Sequence, residues 1–257
     1  MTEPLAITRE GRTLVVAINR PERRNVVDLA TARALHRAFI EFDADAEADV
    51  AILTGNGGAF CAGADLRALN EGERKPIEPD GDFAPMGPTR LKLSKPIIAA
   101  IEGPAVAGGI ELALWCDLRV AARSAIFGIF NRRFGVPLVD LGTIRLPRLI
   151  GQSRAMDLIL TGRKVTAEEA YGMGLVNRLT EDGEALGGAV ALAAELAGFP
   201  QTALRNDRLS VLEQWGLGEE DARRNEVARG LETIASGESH RGAARFSSGA
   251  GRHGTFE

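Results

Sequence analysis

Residues 101–122 read IEGPAVAGGIELALWCDLRVAA, and their order decides the fold. The apolar run from Pro96 to Ile101 ahead of them is short enough for a buried strand. It breaks into a turn of small residues, Gly103 to Gly109. Gly108 opens a helix that continues through Trp115, and Leu118 to Ala121 gives another short strand. Strand, small-residue turn, helix and strand in so few residues read as a parallel βα unit.

Upstream the same alternation returns. Thr13 to Ile18 (TLVVAI) is a buried strand stopped by Asn19-Arg20-Pro21. Asp28 can cap a helix in which Leu29, Ala32, Leu35, Ala38 and Phe39 recur at helical spacing through Phe42. Val50 to Leu53 is a strand, and after it comes a second small-residue turn, Gly57 to Leu66 (GGAFCAGADL). Both turns sit at the C-terminal ends of strands, where open α/β folds bind ligands. Residues without bulky side chains let a ligand approach backbone N–H groups, so two such turns can aim two donors at one oxygen. That arrangement is an oxyanion hole, suited to the charge that develops as a carbonyl becomes an enolate. The alternative for either turn alone is tight packing.

Glu71 to Pro88, rich in Pro, Gly and charge, reads as a long loop, either plain surface or a substrate cover, with no residue given a role. Beyond Ser153 the pattern turns helical: Arg154 to Leu160, Ala167 to Tyr171, Ala185 to Ala197, Ala203 to Trp215 and Glu219 to Ser236. The expected division is a core over 1–197 and a helical region over 198–257.

The 257 residues carry 31 Lys+Arg against 35 Asp+Glu, a net charge of −4 that speaks against a nucleic-acid partner. At 45% hydrophobic and 26% charged the composition is that of a globular protein. Cys61 and Cys116 lie in apolar runs without CxxC spacing, which points to reduced thiols and a cytoplasmic location. No signal-like or membrane-spanning run is present. Gly249, Gly251 and Gly254 spell GxGxxG, but too few residues follow for a βαβ unit. GxxxxGK[ST], HExxH and GxSxG do not occur, and His36, His240 and His253 are scattered, so none is given catalysis.

Five segments in order resemble the enoyl-CoA hydratase/isomerase (crotonase) superfamily: NRPERRN (19–25), AFCAGADL (59–66), the 101–122 stretch, FGVPLVDLGTIRLPRLIG (134–151) and AMDLILTGRKVTAEEAYGMGLVNRL (155–179). The resemblance implies an α/β fold with a repeated ββα spiral core, a C-terminal helical region that builds a homotrimer or dimer of trimers, and acyl-CoA thioester substrates. It implies oxyanion donors at the backbone N–H groups of Ala64 and Gly108, with the helix dipole adding to the latter. Ala62, Asp65 and Leu66 would border the coenzyme A path, Arg24 would lie near its phosphates, and Phe246 would pack on the adenine. A lysine of relatives is replaced by Gly249 here, with Arg245 or Arg252 as substitutes.

Glu111, three residues after Gly108, matches the first catalytic glutamate of hydratases, its carboxyl raised if the pocket is dry. The second glutamate's place is taken by Asn131, which cannot transfer protons. Asp140, an acid in the apolar run Val136 to Gly142, either supplies the missing carboxylate or caps the helix that follows. Arg132 and Arg133 either enter the pocket, favouring a carboxylated acyl group, or face solvent. Three readings stand: a hydratase using Glu111, with Asp140 or an Asn131-held water as helper; an isomerase, decarboxylase or thioester hydrolase using the same oxyanion hole; and an acyl-CoA binder without chemistry. No metal and no cofactor beyond the coenzyme A of the substrate is expected.

Overall fold

The computed structural model describes residues 3–251. Its strands are β1 (Leu5–Glu10), β2 (Thr13–Ile18), β3 (Val50–Gly55), β4 (Ile97–Ile101), β5 (Pro104–Val106), β6 (Leu118–Ala122), β7 (Ile126–Gly128), β8 (Val165–Thr166) and β9 (Arg178–Thr180). The α-helices are α1 (Leu29–Ala44), α2 (Leu66–Asn70), α3 (Gly108–Trp115), α4 (Gly142–Ile150), α5 (Gln152–Thr161), α6 (Ala167–Gly172), α7 (Ala185–Ala197), α8 (Gln201–Glu213), α9 (Glu219–Ala235) and α10 (Glu238–Ser247). One compact unit runs to Leu196, and a second, helical unit begins at Ala197.

In the first unit a six-stranded sheet has the order β1-β2-β3-β4-β6-β9, parallel from β2 onward. Its central strands are buried on both faces, which is why they read as unbroken apolar runs. A second sheet, β5-β7-β8, lies where the chain steps off the first: β4 leads to β5 and then α3, and β6 leads to β7 and then a 3-10 turn over Phe130–Phe134. The step after β3 has the same form, with Cys61 bridging Ala105 in place of a full strand before α2. This is the repeated ββα spiral that the sequence implied.

Aromatic packing sets the position of α3. Phe39 of α1 meets Trp115 of α3 edge-on, ring centroids 4.7 Å apart, a pairing worth about 0.5–1.5 kcal/mol beyond its buried area. Trp115 Nε1 donates to Leu91 O at 3.1 Å. The helix that carries Glu111 is therefore anchored at its C-terminal end while its N-terminal end stays open to ligand.

Several elements differ from the sequence expectation. The strand at Thr13–Ile18 is the second, pairing antiparallel with β1 across a turn in which Gly11 takes φ +58°. The helix expected from Ala203 to Trp215 starts at Gln201, becomes 3-10 over Gln214–Gly216, and is followed by α9 and the unexpected α10. The segment read as a long loop, either plain surface or a substrate cover, is tied down near its start: Glu73 accepts from Leu29 N at 2.9 Å and Lys75 donates to Val27 O at 2.6 Å. Among the described residues no helix is long and apolar enough to cross a membrane.

Candidate active site

The two small-residue turns are laced together. Cys61 N donates to Pro104 O at 2.9 Å and Val106 N donates to Cys61 O at 3.1 Å. On the other side, Val27 N donates to Gly63 O and Asp65 N to Val27 O, at 2.8 and 2.9 Å. Backbone N–H groups alternate sides along an extended segment, so these two bonds turn the N–H of Ala64 away from Val27. That N–H has no protein acceptor, and neither does the N–H of Gly108. Ala107, at φ 53° and ψ −125°, aims the second donor by turning the chain into α3.

The glycines here are required by contact. A Cβ at Gly109 would lie 2.0 Å from Cys61 O, and one at Gly63 would lie 2.9 Å from Gly108 N. Two free donors, one of them opening an eight-residue helix, are thereby held side by side at one cavity wall.

The cavity has a volume of about 600 Å³. Its wall is mostly apolar, with Leu66, Met86, Val106, Phe130 and Val139 contributing, and it also includes Ala62, Ala64, Asp65, Gly108, Glu111, Asn131 and Asp140. Eight sequence-expected residues thus meet in one place.

Glu111 is 2% exposed. Its Oε1 accepts from Asp140 N at 3.0 Å and Gly142 N at 2.9 Å, and no protein donor reaches Oε2. Burial, seconded by the charge of Asp140, pushes its carboxyl up to about 8. Asp140 is equally buried. Its Oδ1 accepts from Met86 N at 2.9 Å and Thr89 Oγ1 at 2.6 Å, leaving Oδ2 without a protein donor. Burial raises this carboxyl above its ordinary value, while Thr89, Met86 N, Lys75 and Arg90 oppose the rise. Of the two readings open for Asp140, the structure rejects helix capping: the residue before α4 is Leu141, at φ 68° and without a side-chain cap. The cavity also holds Asn131, whose Nδ2 donates to Val136 O at 2.7 Å and whose Oδ1 has no partner.

Arg132 and Arg133 turn outward. They donate to Ile159 O and Gly162 O, and Arg133 lies over the Phe130 ring at 4.3 Å, so neither lines the cavity. Asp65 borders the cavity, but its carboxylate is committed: it takes Arg20 at 3.0 Å and Arg23 at 3.1 Å and caps α2 through Arg67 N and Ala68 N. Its backbone is engaged as well, the N–H on Val27 O and the carbonyl by Leu69 N at 3.1 Å. Arg24 is exposed and unpaired, and its carbonyl accepts from Ala62 N at the cavity's edge. Phe246 is 61% exposed on α10 of the second unit, next to Arg245. Arg252 and His253 lie outside the described residues.

Three wall or support residues had no sequence signal: Met86, which fills the space beside Gly108, Thr89, which holds Asp140, and Lys75.

Comparison with known proteins gives the family. A sequence profile described as enoyl-CoA hydratase/isomerase matches residues 8–248. The chain is 36% identical over 247 residues to enoyl-CoA hydratase EchA19 of Mycobacterium tuberculosis, covering 93% of this chain and 92% of that one. It is 40% identical over 201 residues to a carnitinyl-CoA dehydratase of Salmonella agona, covering 76% of this chain and 75% of that one. The crystal structure of enoyl-CoA hydratase EchA1 from Mycobacterium marinum superposes with a TM-score of 0.90 at 38% identity over 96% of both chains. On its fold and these likenesses, the chain belongs to the enoyl-CoA hydratase/isomerase family, the crotonase superfamily.

Proposed function

We propose that the protein adds water across the double bond of a 2-enoyl-CoA thioester, and removes it in reverse, with Glu111 and Asp140 as its proton-transfer pair. One observation carries this reading. Two buried carboxyls each fix one oxygen on protein donors and leave the other free, in a cavity whose wall also offers two unclaimed backbone N–H groups.

The thioester oxygen is received by Ala64 N–H and Gly108 N–H, which meet the charge that grows there as the enolate forms. At neutral pH Glu111 carries a proton, because burial, seconded by the charge of Asp140, raises it to about 8, and Asp140 is assigned as the base. Asp140 takes a proton from water as the oxygen bonds to Cβ, and the double-bond electrons pass to the thioester as enolate. Glu111 then gives its proton to Cα as the enolate collapses. Asp140 ends protonated and Glu111 ionised, and return of that proton through pocket water resets the pair. No electrons leave the substrate, so the step needs no redox cofactor, and the two N–H groups do the work a Lewis acid would otherwise do. Asn131 stands where relatives have a second glutamate, and Asp140 takes over that proton transfer.

The test is loss of the conjugated thioester absorbance of crotonyl-CoA. Wild type should consume it and E111Q should not, while E111Q still binds the ester. Full activity in E111Q would sink the proposal, and binding without turnover by wild type would favour an acyl-CoA binder.

Coenzyme A phosphates meeting Arg24 belong to the same proposal, supported by the exposure and lack of ion pairs of Arg24. So does assembly as a homotrimer or dimer of trimers: α8 and α9 leave Val211, Leu231 and Ile234 more than half exposed, at 62%, 59% and 62%. A monomer in sedimentation would refute it. A reducing cytoplasm suits the two buried, free cysteines.

A further inference from the structure

The cavity holds a cation that the reaction scheme does not use. Lys75 lines it, half-buried, from the segment between α2 and β4. Its Nζ donates to a single carbonyl, Val27 O, at 2.6 Å. That same carbonyl accepts from Asp65 N, and Val27 pairs with Ala64, so the ammonium sits beside the oxyanion strand. Lys75 forms no ion pair, and Asp140, in the same cavity wall, forms none either. A buried charge without a partner is costly, and two of opposite sign in one small cavity relieve each other.

We infer that Lys75 is the counter-charge of Asp140 within the acyl cavity, a positioning residue that decides which of the two carboxyls acts as the base. The inference rests on the proposed hydratase reading.

The other charged groups around Asp140 are already occupied or neutral. Glu111, from α3, is held by backbone donors and carries the proton. Arg90 donates to the carbonyls of Glu78 and Val139. Arg145, from α4, donates to Thr89 O at 2.7 Å and reaches the backbone carbonyl of Asp140 only at 3.5 Å. Glu73, the acid nearest Lys75 in sequence, accepts from Leu29 N at its Oε1. Arg74, which also lines the cavity, is exposed and donates to Leu69 O and Glu73 O. Lys75 is the half-buried cation of this wall, with one of its three ammonium protons given to Val27 O. Burial draws that ammonium below its ordinary value, and the charges of Glu73 and Asp140 act against the fall. The interaction is reciprocal, since Lys75 is also among the groups that oppose the rise at Asp140.

The consequence is an order of protonation. With the ammonium present Asp140 ionises first, and its charge keeps the proton on Glu111. Without it Asp140 holds its proton to higher pH, and the base is absent over the acid part of the range.

The experiment compares the pH dependence of kcat/KM for crotonyl-CoA in wild type, K75M, K75R and D140N, each checked for folding by its melting temperature. K75M is expected to move the acid limb up by about one pH unit, the scale on which a nearby opposite charge acts on a carboxyl. K75R keeps the charge and is expected to leave the limb in place. An unmoved limb in folded K75M would overturn the inference, as would a loss that is equal at every pH, which marks a mere loop tether. A shift in K75R equal to that in K75M would overturn it too, because charge would not be the cause. D140N separates the two levels: wild-type turnover in D140N removes the hydratase reading itself, whereas an inactive D140N with an unmoved K75M limb removes only the part given to Lys75.

Discussion

Gly142 and Glu111 are in contact in a way that leaves no room for a side chain at residue 142 unless Glu111 moves. The Gly142 N–H donates to Glu111 Oε1 at 2.9 Å, and a Cβ at Gly142 would lie 2.7 Å from that oxygen and 2.8 Å from Glu111 Cγ. The backbone at Gly142 is not in the left-handed region, so alanine there is tolerated by the backbone, and the nearest atoms that resist it are those of Glu111. G142A is therefore expected to fold and to displace the Glu111 carboxyl. Misplacement of a catalytic group by about 1 Å can cost about 10²-fold, and kcat for crotonyl-CoA hydration checks it. Unchanged kcat would show that the position of Glu111 is unimportant.

The pair should titrate visibly. Activity requires Asp140 ionised and Glu111 protonated, so kcat/KM, which reports the free enzyme, should be bell-shaped with its basic limb at about 8. The acid limb should lie above the ordinary carboxylate value because burial raises Asp140. The two limbs belong to the coupled pair rather than to separate residues. A profile flat from pH 6 to 9 would contradict the assignment.

Burial of Glu111 also has a cost in stability with a definite sign. Its folded-state value, about 8, stands above its ordinary 4.5, so the native state holds the proton more tightly than the unfolded chain. The contribution is fully present below the unfolded value and is lost as pH rises through the folded one. E111Q keeps an oxygen for the Asp140 and Gly142 N–H groups but has no proton to lose. Its melting temperature should exceed that of wild type by more at pH 8 than at pH 5. Parallel melting curves across that range would argue against a raised Glu111.

Ala107 holds φ 53° and ψ −125° without being glycine. Such a position costs about 1–3 kcal/mol, partly offset for a glycine by the freedom it gains when unfolded. A107G is expected to stabilise the fold by about 1 kcal/mol, which for a chain of this size is about 2–4 °C in Tm. A lower Tm would mean that the Ala107 methyl, packed close to Gly63, contributes more than the strain removes.

How much of this was legible in the sequence depended on the range of each interaction. Thr13–Ile18 and Gly108–Trp115 were read with the limits the structure gives them, because a buried strand and a short apolar helix announce themselves locally. β1 was missed because four of its six residues are exposed and polar side chains break its pattern, and β5 and β7, three residues each, are too short to show a period. The turns that bring Ala64 and Gly108 together were visible as runs of small residues. What holds Asp140 was not, since Met86 and Thr89 are 54 and 51 residues away. Capping and catalysis both call for an acid ahead of a helix, and the left-handed turn at Leu141, which removes capping here, has no glycine to mark it. Lys75 lay in a segment whose composition reads as loop, and its reach to Val27 spans 48 residues.

The most direct test of the central claim is the rate of crotonyl-CoA hydration by wild type, E111Q, D140N and the double variant. If Glu111 and Asp140 share one proton-transfer cycle, each single variant should lose about 10²–10⁴-fold in kcat. The double variant should then be little slower than the worse single one, because residues acting as a unit are not additive. D140N within a few-fold of wild type, or a double variant whose loss is the product of the two single losses, would contradict it.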